Sequence, residues 1–221
     1  MQEPFIKLRA LVLRSVPYKE SSRILSVLTD TLGRITVSAH RAVGRGSRIA
    51  AAVQPLAFSE LTLRQNRDRF TLTEAHIIEQ FVEITEDLER FAIAMYFLEL
   101  CETIAVESVA SPEILALALR AINALGSERS DPRLVKAAFE LRLMCLAGYA
   151  PMPRADTLCG ETLERGTALA VKYITGCEPK RVFSFALEDF AQLARVCEGY
   201  VLRQLDRGFR TLDYYHKVRI S

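Results

Sequence analysis

The sequence contains no tryptophan and only three histidines, His40, His76 and His216. None of the histidines belongs to an HExxH pair, and the chain contains neither a GxSxG motif nor the GxxxxGKS/T spacing of a phosphate loop. These absences disfavour the zinc proteases, the serine hydrolases of the α/β type and the P-loop nucleotide-binding proteins. A hydrolase whose site assembles from distant positions remains an alternative, but the residues favour a protein that is not an enzyme.

Long apolar runs and paired cysteines are also missing. The N-terminus, MQEPFIKLRA, places a proline and charges where a signal peptide carries an apolar run, and no apolar stretch approaches the roughly 20 residues of a membrane span. The five cysteines include no CxxC pair, whereas structural zinc sites usually take paired thiolates. We therefore expect a soluble, cytoplasmic protein with free thiols, no membrane contact and no cofactor.

The first 80 residues show the patterns of short strands bounded by turn residues. Ile35 and Val37 alternate with polar neighbours, which is the period of a half-buried strand. The predicted strands cover Ile6–Val16, Arg23–Leu28, Arg34–Ala39, Leu56–Arg64 and Phe70–Ile78, and a short helix is predicted over Ser47–Val53. Five short antiparallel strands, with a short helix inserted before the fourth strand, have the element order of an OB-type barrel.

Beyond about Ile84 the apolar residues follow the helical period. Ser111-Pro112 and Asp131-Pro132 supply an N-cap followed by a first-turn proline, and Gly126 and Gly148 supply helix ends. The class is therefore α+β, with an OB-fold domain over residues 1–81 and a mainly helical domain over residues 82–221.

Three further expectations concern the helical domain. The segment from about residue 149 to residue 182 lacks a long periodic run and is predicted to be an irregular insert. A last helix is predicted from about Leu187 to Gly208. Lys136 and Glu140 are expected to pair four residues apart on a face different from the apolar one.

The loop after the third strand carries Arg41, Arg45 and Arg48, and it is interrupted by Gly44 and Gly46. No Asp or Glu occurs from residue 31 to residue 59, and the first 80 residues hold 12 Lys and Arg against seven Asp and Glu. An arginine-bearing loop without a counter-charge is suited to a phosphate backbone, although a solvated basic loop has the same composition.

Several separated motifs resemble the bacterial recombination mediator family RecO. They are Tyr18 with Glu20 and Ser21, the turn LTDTLGRI, Ser47-Arg48 leading to Gln54-Pro55, and the C-terminal RQLDRGFRTLDYY. The resemblance implies an OB-fold followed by a helical domain, binding of single- and double-stranded DNA, and annealing of complementary strands. It also implies work with RecR and single-strand DNA-binding protein to load RecA at gaps, without enzymatic activity, in the cytoplasm at the nucleoid.

The sequence departs from the family pattern in two places. Many members carry two CxxC pairs after the third helix, whereas the matching positions here are Asp156 with Cys159 and Cys177 with Lys180. A protonated lysine cannot ligate a metal, so we expect a degenerate, zinc-finger-like module without metal. The basic loop also lacks the lysine-rich run of the family.

The candidate DNA-binding residues are seven arginines, chosen for their charge and predicted strand positions, and Tyr18, on whose ring a base could stack, although a partly buried loop aromatic is the alternative for Tyr18. They are Arg34, Arg41, Arg45, Arg48, Arg64, Arg67, Arg69 and Tyr18. A possible second basic surface comprises Arg203, Arg207, Arg210 and Lys217. The net charge of only +2 supports an alternative, a protein-interaction platform that contacts DNA weakly or only through partners.

Overall fold

A computed structural model describes residues 5–40, 42, 49–152 and 157–220. The chain forms two compact units. One contains Met1–Val82 together with Phe97–Leu115, and the other contains Glu83–Tyr96 together with Ala116–Ser221. The domain boundary predicted at residue 81 stays a prediction.

The first unit contains a closed five-stranded barrel. Its strands are β1 (Phe5–Tyr18), β2 (Ser22–Thr29), β3 (Arg34–Ala39), β4 (Phe58–Asn66) and β5 (Arg69–Glu79). The strand order around the barrel is β1-β2-β3-β5-β4, and β4 pairs with β1 to close it. Among the pairings of the five barrel strands, that of β3 with β5 is parallel and the others are antiparallel. The predicted OB-type barrel followed by helices is thereby confirmed.

The barrel core is built from the alternating apolar positions of these strands. Ile35, Val37 and Ala39 of β3 are buried, while the intervening Thr36 is exposed. They pack with buried residues of every other strand in one apolar cluster. Burial of this one face specifies the register of each strand, because a shift by one residue would expose the apolar set.

The short helix predicted over Ser47–Val53 is wrong for its described part, since residues 49–53 form turns. Pro55 has no N–H with which to continue a helix. In addition, the Ser59 hydroxyl donates a hydrogen bond of 3.1 Å to the carbonyl of Ala52. Ala52 and Val53 are nevertheless buried in the barrel core, so apolar packing and not helix formation orders this segment.

Seven α-helices, a short 3-10 helix over Pro179–Arg181 and one small hairpin follow the barrel in the described residues. The helices are α1 (Val82–Thr85), α2 (Leu88–Ile104), α3 (Pro112–Gly126), α4 (Pro132–Leu146), α5 (Arg165–Gly176), α6 (Ala191–Leu205) and α7 (Arg210–Ile220), and the hairpin joins β6 (Thr157–Leu158) to β7 (Glu161–Thr162). None of the described helices is both long and apolar enough to cross a membrane.

The predicted helix starts at Pro112 and Pro132 are confirmed. At the start of α4 the Asp131 carboxylate accepts a hydrogen bond of 2.9 Å from the backbone N–H of Arg133, as expected for an N-cap. The end of the last predicted helix is displaced, because α6 stops at Leu205 and Asp206 adopts a left-handed backbone with φ of 48°. The tail then forms the separate helix α7.

The segment from residue 149 to residue 182 is not irregular throughout, because it contains α5. This helix buries Thr167, Ala170, Val171 and Ile174, which recur at the spacing of one helical face. The face is short and carries small residues, so the apolar signal that distinguishes a helix from a loop is weak in the sequence.

Candidate nucleic-acid interface

The β1–β2 hairpin and the β4–β5 hairpin both lie beside the C-terminal end of β3. Arg23 at the start of β2 pairs with Ala39, and Phe70 at the start of β5 pairs with Val37. The turn between β1 and β2 and the turn between β4 and β5 therefore flank the last residues of β3. In OB-folds these two turns, together with β2 and β3, form the surface that binds oligonucleotides.

Tyr18 and Lys19 lie at the first of these turns. Tyr18 ends β1, pairs with Ser22 across the hairpin, and exposes 48% of its surface. The Lys19 ammonium lies 5.5 Å from the centroid of the Tyr18 ring. The turn thus presents an aromatic face beside a positive charge, which are the two groups that contact bases and phosphates of single strands.

Arg67 and Arg69 lie at the second turn. Both are exposed, and Arg67 adopts a left-handed backbone with φ of 53° at the tip of the hairpin. Its carbonyl accepts a hydrogen bond of 3.1 Å from the Gln65 side chain, which stabilises the turn. Arg64, further along β4 and also exposed, pairs with Thr71. The structure therefore brings Arg67 and Arg69 to the same end of β3 as Tyr18.

Arg34 lies at the opposite end of β3 and has protein partners. Its Nε donates a hydrogen bond of 3.0 Å to the carbonyl of Ala105, and its guanidinium lies 3.7 Å from the Glu107 carboxylate. Its own carbonyl accepts a hydrogen bond of 2.9 Å from Ser108. Arg34 thus holds the segment after α2 against the barrel, and it is not grouped with Tyr18, Arg67 and Arg69.

Arg41, Arg45 and Arg48 lie outside the described residues and stay predictions. The residues beside this loop are described. His40 Nδ1 is 3.3 Å from the Ser22 hydroxyl at the start of β2, and Ala42 is buried in the barrel core. The loop therefore leaves β3 at the point where the two hairpins meet.

The second basic set lies in the unit formed by Glu83–Tyr96 and Ala116–Ser221, which we call the helical unit. Arg203 is on α6, Arg207 follows that helix, and Arg210 and Lys217 are two turns apart on α7. All four side chains are exposed. The Arg207 guanidinium lies 5.1 Å from the centroid of the Phe209 ring. Arg210 and Lys217 share one face of α7 because residues seven apart lie on the same side of a helix.

Two of the positions predicted to form a degenerate zinc module, Cys159 and Cys177, contact the backbone. The Cys159 Sγ lies 3.9 Å from the carbonyl of Val196, and the Cys177 Sγ lies 3.9 Å from that of Ile174. Lys180 is exposed, and Asp156 lies outside the described residues. Within the described ranges, no three His, Cys, Asp or Glu side chains converge on a metal-binding position. The absence of zinc stays a prediction.

An ion cluster that the sequence did not reveal lies among α4, α6 and α7. The Lys136 ammonium donates hydrogen bonds of 2.7 Å to Glu140 and 2.6 Å to Glu198, and Glu198 is 2.8 Å from His216 Nε2. Glu140 also accepts a hydrogen bond of 3.0 Å from the Tyr96 hydroxyl. The predicted Lys136–Glu140 pair exists, but both side chains are buried and do not lie on a solvated face.

The protonation of this cluster follows from burial and pairing. Burial alone would lower the pKa of Lys136, but Glu140 and Glu198 outweigh it and raise that pKa. Burial raises the pKa of Glu140 despite the neighbouring ammonium. Burial also opposes ionisation of Glu198, yet Lys136 and His216 hold its pKa below the ordinary value. One ammonium is thus shared between two carboxylates.

The exposed side of this cluster lines a cavity of about 600 Å³. Its other lining residues include Arg133, Arg195 and Arg219, and no Ser, Thr or Cys is among the lining residues. A paired carboxylate and histidine act as a base toward a nucleophile, and the hydroxyl on these walls is the phenol of Tyr215, whose pKa is raised by burial. The ion pairs of the cluster balance charge between three helices.

Comparison with known proteins places both units in one family. The model described as "Recombination protein O N terminal" matches residues 1–81, and the model described as "Recombination protein O C terminal" matches residues 85–183. The chain is 25% identical to the DNA repair protein RecO of Acetivibrio thermocellus over 95% of this chain and 96% of the relative. It is 31% identical to that of Exiguobacterium sibiricum over 86% of this chain and 82% of the relative.

Proposed function

Because this chain belongs to the RecO family of DNA repair proteins, we propose that it binds single- and double-stranded DNA through one end of its barrel and anneals complementary strands. One observation carries the proposal. The strand pairings bring Tyr18, Lys19, Arg67 and Arg69 to the end of β3 from which the arginine-bearing loop leaves. We name these four residues the hairpin cluster.

The hairpin cluster would contact DNA mainly through charge. Each Lys or Arg that neutralises a phosphate releases counterions, which gives an affinity that is independent of base sequence. The exposed ring of Tyr18 offers one base a stacking surface. Annealing needs such contacts, because either complementary strand must bind in the same way. Arg41, Arg45 and Arg48 would extend the phosphate track from the neighbouring loop.

The proposal includes the partners that membership of the family implies. These are RecR, single-strand DNA-binding protein and, indirectly, RecA, which would be loaded at gaps. The second basic surface is suited either to a second DNA strand or to an acidic segment of a partner, since both carry negative charge. The proposed activity makes and breaks no covalent bond, and DNA binding would place the protein at the nucleoid.

The salt dependence of DNA binding tests the hairpin cluster. Replacing Arg67 and Arg69 by Ala should reduce the slope of log affinity against log salt by about 1.4 for single strands, since each lost phosphate contact contributes about 0.7. The measurement is fluorescence anisotropy with a labelled oligonucleotide over a salt series. The matched control replaces Arg165 and Lys172, two exposed cations of α5, by Ala.

The result separates the two functions that the sequence left open. The control variant should retain the slope of the wild-type protein. An unchanged slope after replacement of Arg67 and Arg69 would remove the hairpin cluster from the phosphate contacts. If the purified wild-type protein does not bind DNA even at low salt, the protein is instead an interaction platform that reaches DNA through partners.

A further inference from the structure

Strand β5 extends beyond the end of its parallel neighbour β3. Its only registered pairs with β3 are Phe70 with Val37 and Thr71 with Ser38, and β3 ends at Ala39. On its other side β5 pairs with β4 as far as Glu79. Among the described strands, none pairs with the β3-side edge of β5 over residues 73–79, so its backbone N–H and C=O groups there form an open sheet edge.

This open edge is exposed and partly apolar. Of residues 73–79 only Ala75 is buried, whereas Ile77 is 42% and Ile78 is 50% exposed. The pairing with β4 is in regular register from Glu74 to Ile77, between irregularities at Thr73 and Ile78, so another strand can pair with the backbone of these four residues. Exposed edges of this kind are normally shielded by a lysine, a proline or a covering segment.

Within the described residues, the chain covers its other open edge but not this one. At Arg34 the edge of β3 is met by a parallel bridge to Glu107 and by the hydrogen bond from Ser108. No corresponding backbone hydrogen bond reaches residues 73–79 from the described part of the chain. The β5 edge therefore keeps backbone groups that a further strand can bond.

The charge of the edge selects the kind of partner. Glu74 and Glu79 carry the charges of this stretch, and no Lys or Arg occurs from residue 70 to residue 89. In the described residues neither carboxylate has an ion-pair partner. DNA is excluded by like charge. A second copy would place the same carboxylates edge to edge, which is unfavourable between paired strands.

We propose that the edge of β5 from Glu74 to Glu79 binds an extended segment of a partner protein in which basic and apolar side chains alternate. The segment would add a strand to the barrel through main-chain hydrogen bonds. Its basic side chains would pair with Glu74 and Glu79, and its apolar side chains would cover Ile77 and Ile78. This surface is separate from the hairpin cluster and does not rest on DNA binding.

The test uses the full chain and a fluorescent peptide in which lysine and valine alternate. Wild-type protein should bind it with a Kd below about 1 mM, the weak end of measurable association. Replacing Glu74 and Glu79 by Lys should weaken binding by about tenfold or more, because each reversal turns an attraction into a repulsion. The matched control replaces Glu128 and Glu178, two exposed acids of the helical unit, by Lys and should bind as the wild type does.

Two further peptides keep the proposal falsifiable if the reversed variant does not fold. A peptide with alternate backbone amides methylated lacks the donors for strand addition and should not bind the wild-type protein. A peptide with glutamate in place of lysine should also fail. Equal binding of either peptide, no binding of the lysine peptide, or a dimer in light scattering that is lost in the Glu74→Lys/Glu79→Lys variant would each overturn the proposal.

Discussion

Replacement of Lys136 by Met should destabilise the helical unit strongly. The buried ammonium bonds both Glu140, which is fully buried, and Glu198. Without it Glu140 keeps only the hydrogen bond from Tyr96. Removal of one partner from a buried ion pair costs about 3–5 kcal/mol, because the remaining charge is left without compensation. We expect a loss of this size in the free energy of unfolding.

The double variant Lys136→Met/Glu140→Gln isolates the cause of that loss. It removes the buried carboxylate together with its counter-charge, and the amide oxygen can still accept from Tyr96. Replacing both members of a buried pair is far less costly than breaking it, so we expect a loss of about 1–2 kcal/mol, mainly from imperfect hydrogen bonding of the amide. Glu198 keeps its contact with His216 in both variants.

The pH dependence of the loss has a definite sign. The pKa of Glu140 is raised on folding, so the stability linked to this group is present below its unfolded pKa and is lost as pH rises. Without Lys136 that pKa rises further. The penalty of Lys136→Met should therefore be larger at about pH 8 than at about pH 5. In the double variant the stability penalty should depend much less on pH, because Glu140 is no longer ionisable and only the contribution of Glu198 remains.

Urea unfolding followed by helical circular dichroism measures these free energies. A Lys136→Met penalty below about 1 kcal/mol would mean that solvent reaches Glu140 and screens it, contrary to its burial. A double variant no more stable than the single one would show that packing around Lys136, and not the unpaired carboxylate, causes the loss. A penalty that shrinks as pH rises would refute the assigned charge states.

Two other predictions concern the turn before β3 and the cysteine positions. A Cβ on Gly33, which has φ of +67°, would lie 1.8 Å from the carbonyl oxygen of Val109, so Gly33→Ala should lower the free energy of unfolding by more than the control Gly148→Ala. Gly148 has φ of +87°, and in the described residues no atom beyond its chain neighbours lies within 4 Å of an added Cβ, so Gly148→Ala should cost only about 1–2 kcal/mol of backbone strain. Equal losses in the two variants would contradict the close approach of a Cβ at residue 33 to the Val109 carbonyl. Metal analysis of protein purified without chelator should find well under one zinc per chain, and near-stoichiometric zinc would overturn the expectation that Cys159 and Cys177 belong to a metal-free module.

The barrel could be predicted from the sequence because its signals are local. Alternation of apolar and polar residues located β3 within its observed bounds, and the turn residues separated the neighbouring strands. The helices that begin at Pro112 and Pro132 carry N-cap and proline signals, which act within one turn. The segment at residues 49–53 misled prediction because its small residues are helix formers, whereas packing into the barrel core decides their structure.

The candidate site was predictable only in part, because charge does not reveal a side chain's partner. Arg34 and Arg67 look alike in the sequence, yet Arg34 bonds Ala105 and Glu107 from far along the chain. Likewise, the spacing of Lys136 and Glu140 gives their pairing but not their burial, which depends on α6 and α7 packing over them. The ion cluster needs side chains from three helices, and no local pattern records such an arrangement.

The parallel bridge between Arg34 and Glu107 has a consequence for how the protein is made. The edge of β3 acquires this bridge, together with the hydrogen bond from Ser108, only after residues 105–108 have been synthesised. A nascent chain that has emerged only to residue 81 contains all five barrel strands, but the edge of β3 at Arg34 is still exposed. An exposed edge is a site for wrong pairing between growing chains. A fragment cut at residue 81 lacks this cover, whereas a fragment that continues to residue 115 includes residues 105–108. The edge of β3 is therefore covered by residues that are made after all five barrel strands.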